Sequence, residues 1–132
     1  QAIEEVMDRK LNYYNRIMTV EFYDHFSEAL DFLKKRKIPL GVVTGGLHSR
    51  VDKIVKQYFD GIFNCVVTVE DVKRGKPFPD PFLKGARMLG LAPEVCVVVE
   101  NAPMGIEGAL KAGMTVVAVT TTLKPEQLKA AH

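Results

Sequence analysis

The stretch Val95–Gly113, VCVVVENAPMGIEGALKAG, contains the pattern that decides the fold. Its first part, Val95–Glu100, is a nearly continuous apolar run, which is typical of a strand inside a parallel sheet and buried on both faces. The second part begins at Pro103, carries apolar residues three and four positions apart, and ends near Gly113. This second part predicts a helix, so the stretch reads as a strand followed directly by a helix.

The same alternation occurs elsewhere in the chain. Further apolar runs predict strands at Leu40–Thr44, Asn64–Val69 and Thr115–Thr120. The segments between them have helical periodicity, with inward faces formed by Val51, Ile54, Val55 and Tyr58 and by Phe82, Leu83, Ala86 and Leu89. Strands that alternate with helices predict an α/β fold with a parallel sheet.

The first third of the chain is different, because its apolar residues predict helices only. One helix is expected over residues 3–18 and a second over Asp24–Lys37, with the link 19–23 as a hinge. The basic run Lys34–Lys37 falls at the end of the second helix, where cations complement the helix dipole.

Composition and charge exclude several classes of protein. With 132 residues, 47% hydrophobic, and 18 Lys and Arg against 16 Asp and Glu, the chain is typical of one soluble domain without a nucleic-acid partner. No apolar run approaches the roughly 20 residues of a membrane span, and no signal peptide is recognisable. Cys65 and Cys96 are expected as buried, reduced thiols in two strands, which favours the cytoplasm. Residue 1 is Gln, which suggests that the chain has been cut.

Ligands of parallel sheets bind at the carboxyl ends of the strands, so the residues after each strand are the candidates. Thr44, Gly45 and Gly46 precede a helix that starts near His48, and together they could bind an anion. A plain turn from strand to helix explains them equally well. Lys76 lies in a proline-rich turn and could neutralise a phosphoryl oxygen, although a solvated surface lysine is the more usual role.

Glu100 ends a run of three valines and is followed by Asn101. A carboxylate there could bind a hard cation such as Mg²⁺, or could simply emerge into solvent. The phosphate-binding patterns GxxxxGK[ST] and GxGxxG are both absent from the sequence.

Taken together, GVVTGG (41–46), GKPFPDPF (75–82) and VVVENAPMGIEGALKAGM (97–114) resemble the haloacid dehalogenase-like hydrolases. The resemblance runs from about Val20 to Val119 and is strongest to the phosphoglycolate phosphatase and β-phosphoglucomutase-like branch. It implies a three-layer α/β/α Rossmannoid core with a helical cap, and phosphoryl transfer through an aspartyl-phosphate with magnesium as cofactor.

The resemblance also implies roles for individual residues. Thr44 would bind the transferring phosphoryl group with the amides of Gly45 and Gly46, and Lys76 would balance its charge. His48 lies at a position that can touch substrate in relatives, although a role at the start of the helix is favoured.

The resemblance further assigns Glu100 and Asn101 to Mg²⁺. Relatives commonly have aspartate at the second position, and an uncharged Asn101 is expected to bind the metal more weakly.

One expected motif is absent. The family's DxDGT-type nucleophile motif does not occur, and only 43 residues precede Thr44. We therefore expect residues 1–18 to be a cap remnant, 19–23 a hinge and 24–132 an incomplete core without its central nucleophile strand. Such a chain should not form a stable complete sheet alone, and either a strand-swapped homodimer or a complementing N-terminal segment is expected.

The sequence thus predicts the core of a Mg²⁺-dependent phosphoric-monoester hydrolase that acts on a small phosphorylated metabolite, and this chain alone is expected to be inactive. A phosphomutase of the same branch and a non-catalytic binding module are the alternatives. Nucleic-acid binding is disfavoured by the small net charge of +2.

Overall fold

The computed structural model describes residues 5, 6, 9, 10, 13 and 20–132. The chain divides into two units, residues 1–32 and 33–132. In the first unit the described residues before residue 20 are helical, and the helix α1, Phe26–Lys35, begins after an irregular segment and continues into the second unit. Most of the predicted cap remnant, residues 1–18, lies outside the described residues, and the predicted hinge at 19–23 stays a prediction.

The second unit contains the predicted alternation of strands and helices. Its regular elements are β1 (Gly41–Val43), α2 (His48–Tyr58), β2 (Cys65–Val67), α3 (Asp80–Leu89), β3 (Val97–Glu100), α4 (Pro103–Lys111) and β4 (Thr115–Ala118). Short 3₁₀ turns are formed by Val69–Asp71, Pro93–Val95 and Pro125–Gln127. The α/β fold class is therefore confirmed, with each strand somewhat shorter than its apolar run.

The strands form two separate parallel pairs. Strand β1 pairs with β2, with Val42 opposite Val66, and β3 pairs with β4, with Val98 opposite Val116. Among the described residues no strand connects the two pairs. This is the arrangement expected for a sheet that lacks a strand between β1 and β3.

Helices α3 and α4 connect the two strand pairs. Helix α3 packs on β1 and β2, α4 packs on β3 and β4, and the two helices contact each other. Their buried side chains form one apolar core with the strands and the C-terminal segment. Its buried members are Phe82, Ala86, Ile106, Ala109, Ala112, Met114, Val116 and Leu128.

The expectation that every strand is buried on both faces is wrong for β3 and also for β4, in which Val117 is 45% exposed. Val98 packs against the core, but Val97 and Val99 are 63% and 65% exposed. Alternate side chains of a strand point to opposite faces, and α4 covers only the face that carries Val98. The continuous apolar run did not distinguish these two faces.

The two cysteines are both free thiols, but their environments differ. Cys65 lies in β2 and is buried, as predicted. Cys96 directly precedes β3 and is only partly buried, because the chain there is still leaving the turn Pro93–Val95. In the described part of the chain no helix is long and apolar enough to cross a membrane.

Truncating the core at Ile106 should destabilise the protein. Ile106 is 1% exposed at the contact between α4 and the sheet, so Ile106→Ala leaves a cavity and should lower the free energy of unfolding by about 2–5 kcal/mol. Met104 lies on the same helix and is 54% exposed, so Met104→Ala should change the free energy of unfolding by no more than about 0.5 kcal/mol. Urea unfolding measures both, and equal effects of the two substitutions would contradict this packing.

Candidate active site

The loop after β1, Thr44–Gly46, is a tight turn that leads toward α2. The backbone N–H of Thr44 donates to the carbonyl of Val67 (2.9 Å), which extends the pairing of β1 with β2 by one residue. The Gly46 N–H donates to Thr44 Oγ1 (3.1 Å), so the Thr44 hydroxyl keeps its own hydrogen for another acceptor. A side chain at Gly46 would lie 3.0 Å from Val51, which explains the glycine at this position.

Lys76 and Glu100 form an ion pair at the end of β3. Lys76 Nζ donates to Glu100 Oε1, and the side chains are only 20% and 9% exposed. Lys76 Nζ also lies 5.0 Å from the centre of the Phe82 ring, within reach of a cation–π interaction. Lys76 is therefore not a solvated surface lysine, and the structure brings together two of the residues that the sequence singled out.

The second oxygen of Glu100 binds the start of α4. Glu100 Oε2 accepts from the backbone N–H of Asn101 (2.9 Å) and of Ala102 (3.1 Å). The side-chain amide of Asn101 donates to Thr122 Oγ1 (3.2 Å), and the Thr122 hydroxyl donates to the Asn101 carbonyl (3.4 Å). These bonds orient the Asn101 amide through its nitrogen and leave its Oδ1 as an acceptor.

A carboxylate and an amide oxygen are the ligand chemistry that Mg²⁺ prefers, so Glu100 and Asn101 fit this ion. They would be only part of its coordination shell. Within the described residues, no three His, Cys, Asp or Glu side chains are grouped so that they could hold a metal.

Sequence reasoning missed Gly105, which lies in the first turn of α4. A Cβ at this position would overlap the Glu100 carboxylate. The glycine therefore provides the space in which Glu100 lies at the N-terminus of the helix. The Pro-Met-Gly sequence at the helix start was the available signal, since glycine is unfavourable inside a helix without such a reason.

Sequence reasoning also missed the turn after β2, whose centre is Asp71. Asp71 Oδ2 accepts from the backbone N–H and the hydroxyl of Thr68, at 2.8 and 3.0 Å. These bonds, and the ammonium of Lys84, hold the pKa of Asp71 well below its usual range. The spacing of Thr68 and Asp71 is that of a capping box, which was the signal in the sequence.

His48 begins α2 and faces this turn. Its ring contacts two carboxylates, with Nε2 2.8 Å from Asp71 Oδ2 and Nδ1 3.3 Å from Asp52 Oδ1. Its backbone N–H donates to Glu70 Oε2 (2.5 Å). The structure thus places His48 beside the Thr44 loop, and a contact of its side chain with substrate stays a prediction.

Aspartate is a favoured N-cap residue, and Asp80 lies where α3 begins. Asp80 is not the N-cap of α3, because Pro79 occupies that position and Asp80 is the first helical residue. Its carboxylate accepts two hydrogen bonds from Arg74, both 3.0 Å long. The ion pair with Arg74 uses the acceptors that a cap would need.

The fold and these contacts define an α/β protein with a glycine-containing turn at the end of β1 and a largely buried lysine–glutamate pair at the end of β3. The sequence matches the model of the haloacid dehalogenase-like hydrolases over residues 1–119, and the chain belongs to this family.

The individual relatives are phosphatases and a phosphomutase. Over 93 residues the chain is 47% identical to hexitol phosphatase A of Escherichia coli strain K12, covering 68% of this chain and 42% of the relative. Over 125 residues it is 34% identical to pyrophosphatase PpaX of Bacillus cereus strain AH820, and the match covers 92% of this chain and 58% of the relative. The crystal structure of β-phosphoglucomutase from Clostridium difficile matches with a TM-score of 0.81 and 25% identity. This match covers 94% of the present chain and 56% of the phosphoglucomutase chain. The chain thus spans about half the length of these relatives.

Adding a methyl group at Gly105 should disrupt the ion pair. Gly105→Ala would gain about 1 kcal/mol of helix propensity, but Glu100 can make room only by leaving its hydrogen bonds. We expect a net loss of about 1–3 kcal/mol in the free energy of unfolding, measured in urea. The control is Gly75→Ala, where the nearest atom to a Cβ is 3.8 Å away. A Gly105→Ala protein as stable as Gly75→Ala would contradict the close contact.

Proposed function

We propose that the protein to which this chain belongs is a Mg²⁺-dependent phosphoric-monoester hydrolase acting on a small phosphorylated metabolite. The observation that carries the proposal is the buried Lys76–Glu100 pair at the carboxyl end of β3. A lysine and a carboxylate removed from water at a strand end are unusual in a purely structural role, because burying charge is costly. Together with the family membership, they support a site for phosphoryl transfer.

Thr44 and its loop would bind the phosphoryl group. The Thr44 Oγ1 accepts from Gly46, so its hydroxyl hydrogen is directed toward a different acceptor. A phosphoryl oxygen at this loop would also lie near the N-terminus of α2, where the helix dipole favours negative charge.

Lys76 would supply the positive charge of the site. Its ammonium is held by Glu100 on one side and by the Phe82 ring on another, so its position is fixed before a substrate arrives. A fixed cation stabilises the charge that develops on the transferring oxygens.

Glu100 and Asn101 would hold the Mg²⁺ through oxygen atoms, with the Asn101 amide oriented by Thr122. When bound, the ion would neutralise phosphoryl charge and align the phosphoryl group. The nucleophilic aspartate lies outside this chain in this proposal, so the 132 residues alone should be inactive.

The missing strand would be supplied from another source. A complementing N-terminal segment or a strand-swapped copy of the chain could fill the position between β1 and β3, where the two strand pairs are not connected. We propose the cytoplasm as its location, because both cysteines are free thiols.

A phosphomutase of the β-phosphoglucomutase type is the second candidate, since a solved structure of that enzyme superposes with a TM-score of 0.81. Conversion of a sugar phosphate into its isomer, rather than release of inorganic phosphate, would distinguish it from a hydrolase.

Removing the charge of Lys76 should abolish turnover. In the full-length protein, Lys76→Met should lower kcat for an aryl phosphate by about 10²–10³-fold, because a preorganised cation is lost. The matched control Lys73→Met alters an exposed lysine of the same turn and should keep nearly full activity. Because Lys76→Met leaves Glu100 without its partner, Thr44→Val serves as a second variant that does not alter the ion pair.

The outcomes separate the two parts of the proposal. Equal activity of Lys76→Met and Lys73→Met would rule out the proposed role of Lys76. Turnover by the 132-residue chain alone that is sensitive to EDTA would show that the nucleophile does not lie outside it.

Restoring a carboxylate at position 101 should strengthen Mg²⁺ binding. Asn101→Asp adds a negative charge to the oxygen set, and we expect roughly tenfold tighter binding in isothermal titration calorimetry. The control Asn64→Asp alters an asparagine that accepts from the Leu40 N–H, in a different part of the fold. Unchanged affinity in Asn101→Asp would mean that residue 101 is not a ligand.

A further inference from the structure

The His48 ring lies between two carboxylates. Nε2 is 2.8 Å from Asp71 Oδ2 and Nδ1 is 3.3 Å from Asp52 Oδ1. Ionised carboxylates only accept hydrogen bonds, so each ring nitrogen must carry a proton to bond to its partner. The geometry is therefore that of an imidazolium, with Asp71 at the shorter distance.

Asp71 is itself firmly held. Besides the two bonds from Thr68, Lys84 Nζ donates to the Asp71 carbonyl (2.8 Å) and lies 3.4 Å from Asp71 Oδ1. The side chain of Asp71 is 23% exposed, and that of His48 is 39% exposed. The carboxylate is thus held by several bonds on the turn after β2, and the imidazole is the more exposed partner.

The same turn makes two further contacts, one with the start of α2 and one with the Thr44 loop. Glu70 Oε2 accepts from the backbone N–H of His48 (2.5 Å), and the Val69 N–H donates to the Gly46 carbonyl (3.3 Å). Three consecutive residues of the turn therefore contact the loop between β1 and α2 or the first residue of α2. Of these three contacts, only the one through the imidazole depends on protonation in the neutral pH range.

We propose that His48 is a positioning residue, which fixes the Thr44–Gly46 loop for phosphoryl binding by bonding as an imidazolium to Asp71. The inference rests on the function proposed above and adds a role that does not require His48 to touch the substrate. This role also predicts that phosphoryl binding at the loop depends on pH.

The direction of this dependence follows from the charges around the ring. Asp52 on α2 faces Nδ1, Asp71 and Glu70 face His48 from the turn after β2, and Lys84 on α3 faces Asp71. The hydrogen bond to Asp52 raises the pKa of His48 above its ordinary value of 6.5, and Asp71 raises it further, while burial opposes both. Because the folded value is above the unfolded one, the contribution of His48 is complete below pH 6.5 and is lost as the pH rises through the folded value.

The test uses the full-length protein and p-nitrophenyl phosphate between about pH 5.5 and about pH 8.5. In the wild type, KM should rise several-fold with pH while kcat changes little, since binding and not the chemical step depends on the loop. His48→Gln should show a KM roughly tenfold higher at low pH and no rise with pH. His48→Arg keeps a positive charge beside Asp71 and should restore a low KM at every pH.

The chain offers a matched control at His25. His25 Nδ1 also lies 2.7 Å from a carboxylate, that of Glu28, but both side chains are more than three-quarters exposed, at 81% and 77%. His25→Gln should leave KM and its pH profile unchanged. Thermal melting confirms that each variant is folded.

A second measurement does not depend on turnover. The chain has three histidines, so the imidazole signals of His48 can be assigned by substitution and followed by NMR. The amide signals of Gly45 and Gly46 should titrate with the same midpoint as His48, and should lose this transition in His48→Gln.

The possible failures are distinguishable. A wild-type protein without turnover of phosphate esters contradicts the proposed function. A wild type that is active, with a KM independent of pH and unchanged in His48→Gln, overturns the role of His48 alone. Glycine amides that do not follow the titration of His48 overturn it as well.

Discussion

The ion pair between Lys76 and Glu100 is the interaction on which the rest of the site depends. Glu100 is only 9% exposed, and its two oxygens accept from Lys76 and from the backbone N–H groups of Asn101 and Ala102, which directly precede α4. A carboxylate in this position connects the end of β3, the turn that carries Lys76 and the start of α4. Removing the Lys76 ammonium would leave the Glu100 carboxylate buried with only two backbone N–H groups as partners, which should destabilise the protein.

Much of the fold could be predicted from the sequence because the strands and helices are locally encoded. The apolar run before Glu100 and the helical periodicity after Pro103 predicted β3 and α4 close to their observed bounds. Which face of a strand is covered depends instead on how the helices pack in three dimensions, and α4 covers only the face of β3 that carries Val98. The exposure of Val97 and Val99 could not be predicted for this reason.

The residues of the candidate site also differ in how far the sequence could predict them. Thr44, Lys76 and Glu100 could be selected because ligands of parallel sheets bind at the carboxyl ends of the strands. The structure pairs Lys76 with Glu100. The contacts of Asp71 with His48 and Lys84 join residues 23 and 13 positions apart, and no local pattern encodes such pairs. Among the contacts of Asp71, only the one with Thr68, three residues away, has a recognisable pattern in the sequence.

Helix α3 relates the two halves of the site to each other. The Thr44 loop follows β1 and Glu100 ends β3, and these strands belong to different pairs. Lys84 of α3 holds Asp71 and thereby the turn against which the Thr44 loop rests, while Phe82 of the same helix lies against Lys76 and in the core beside Ile106. One helix thus contacts residues that support both the Thr44 loop and the ion pair. The spacing between them is therefore set by the packing of α3 against α4, even though the described strands do not form one continuous sheet.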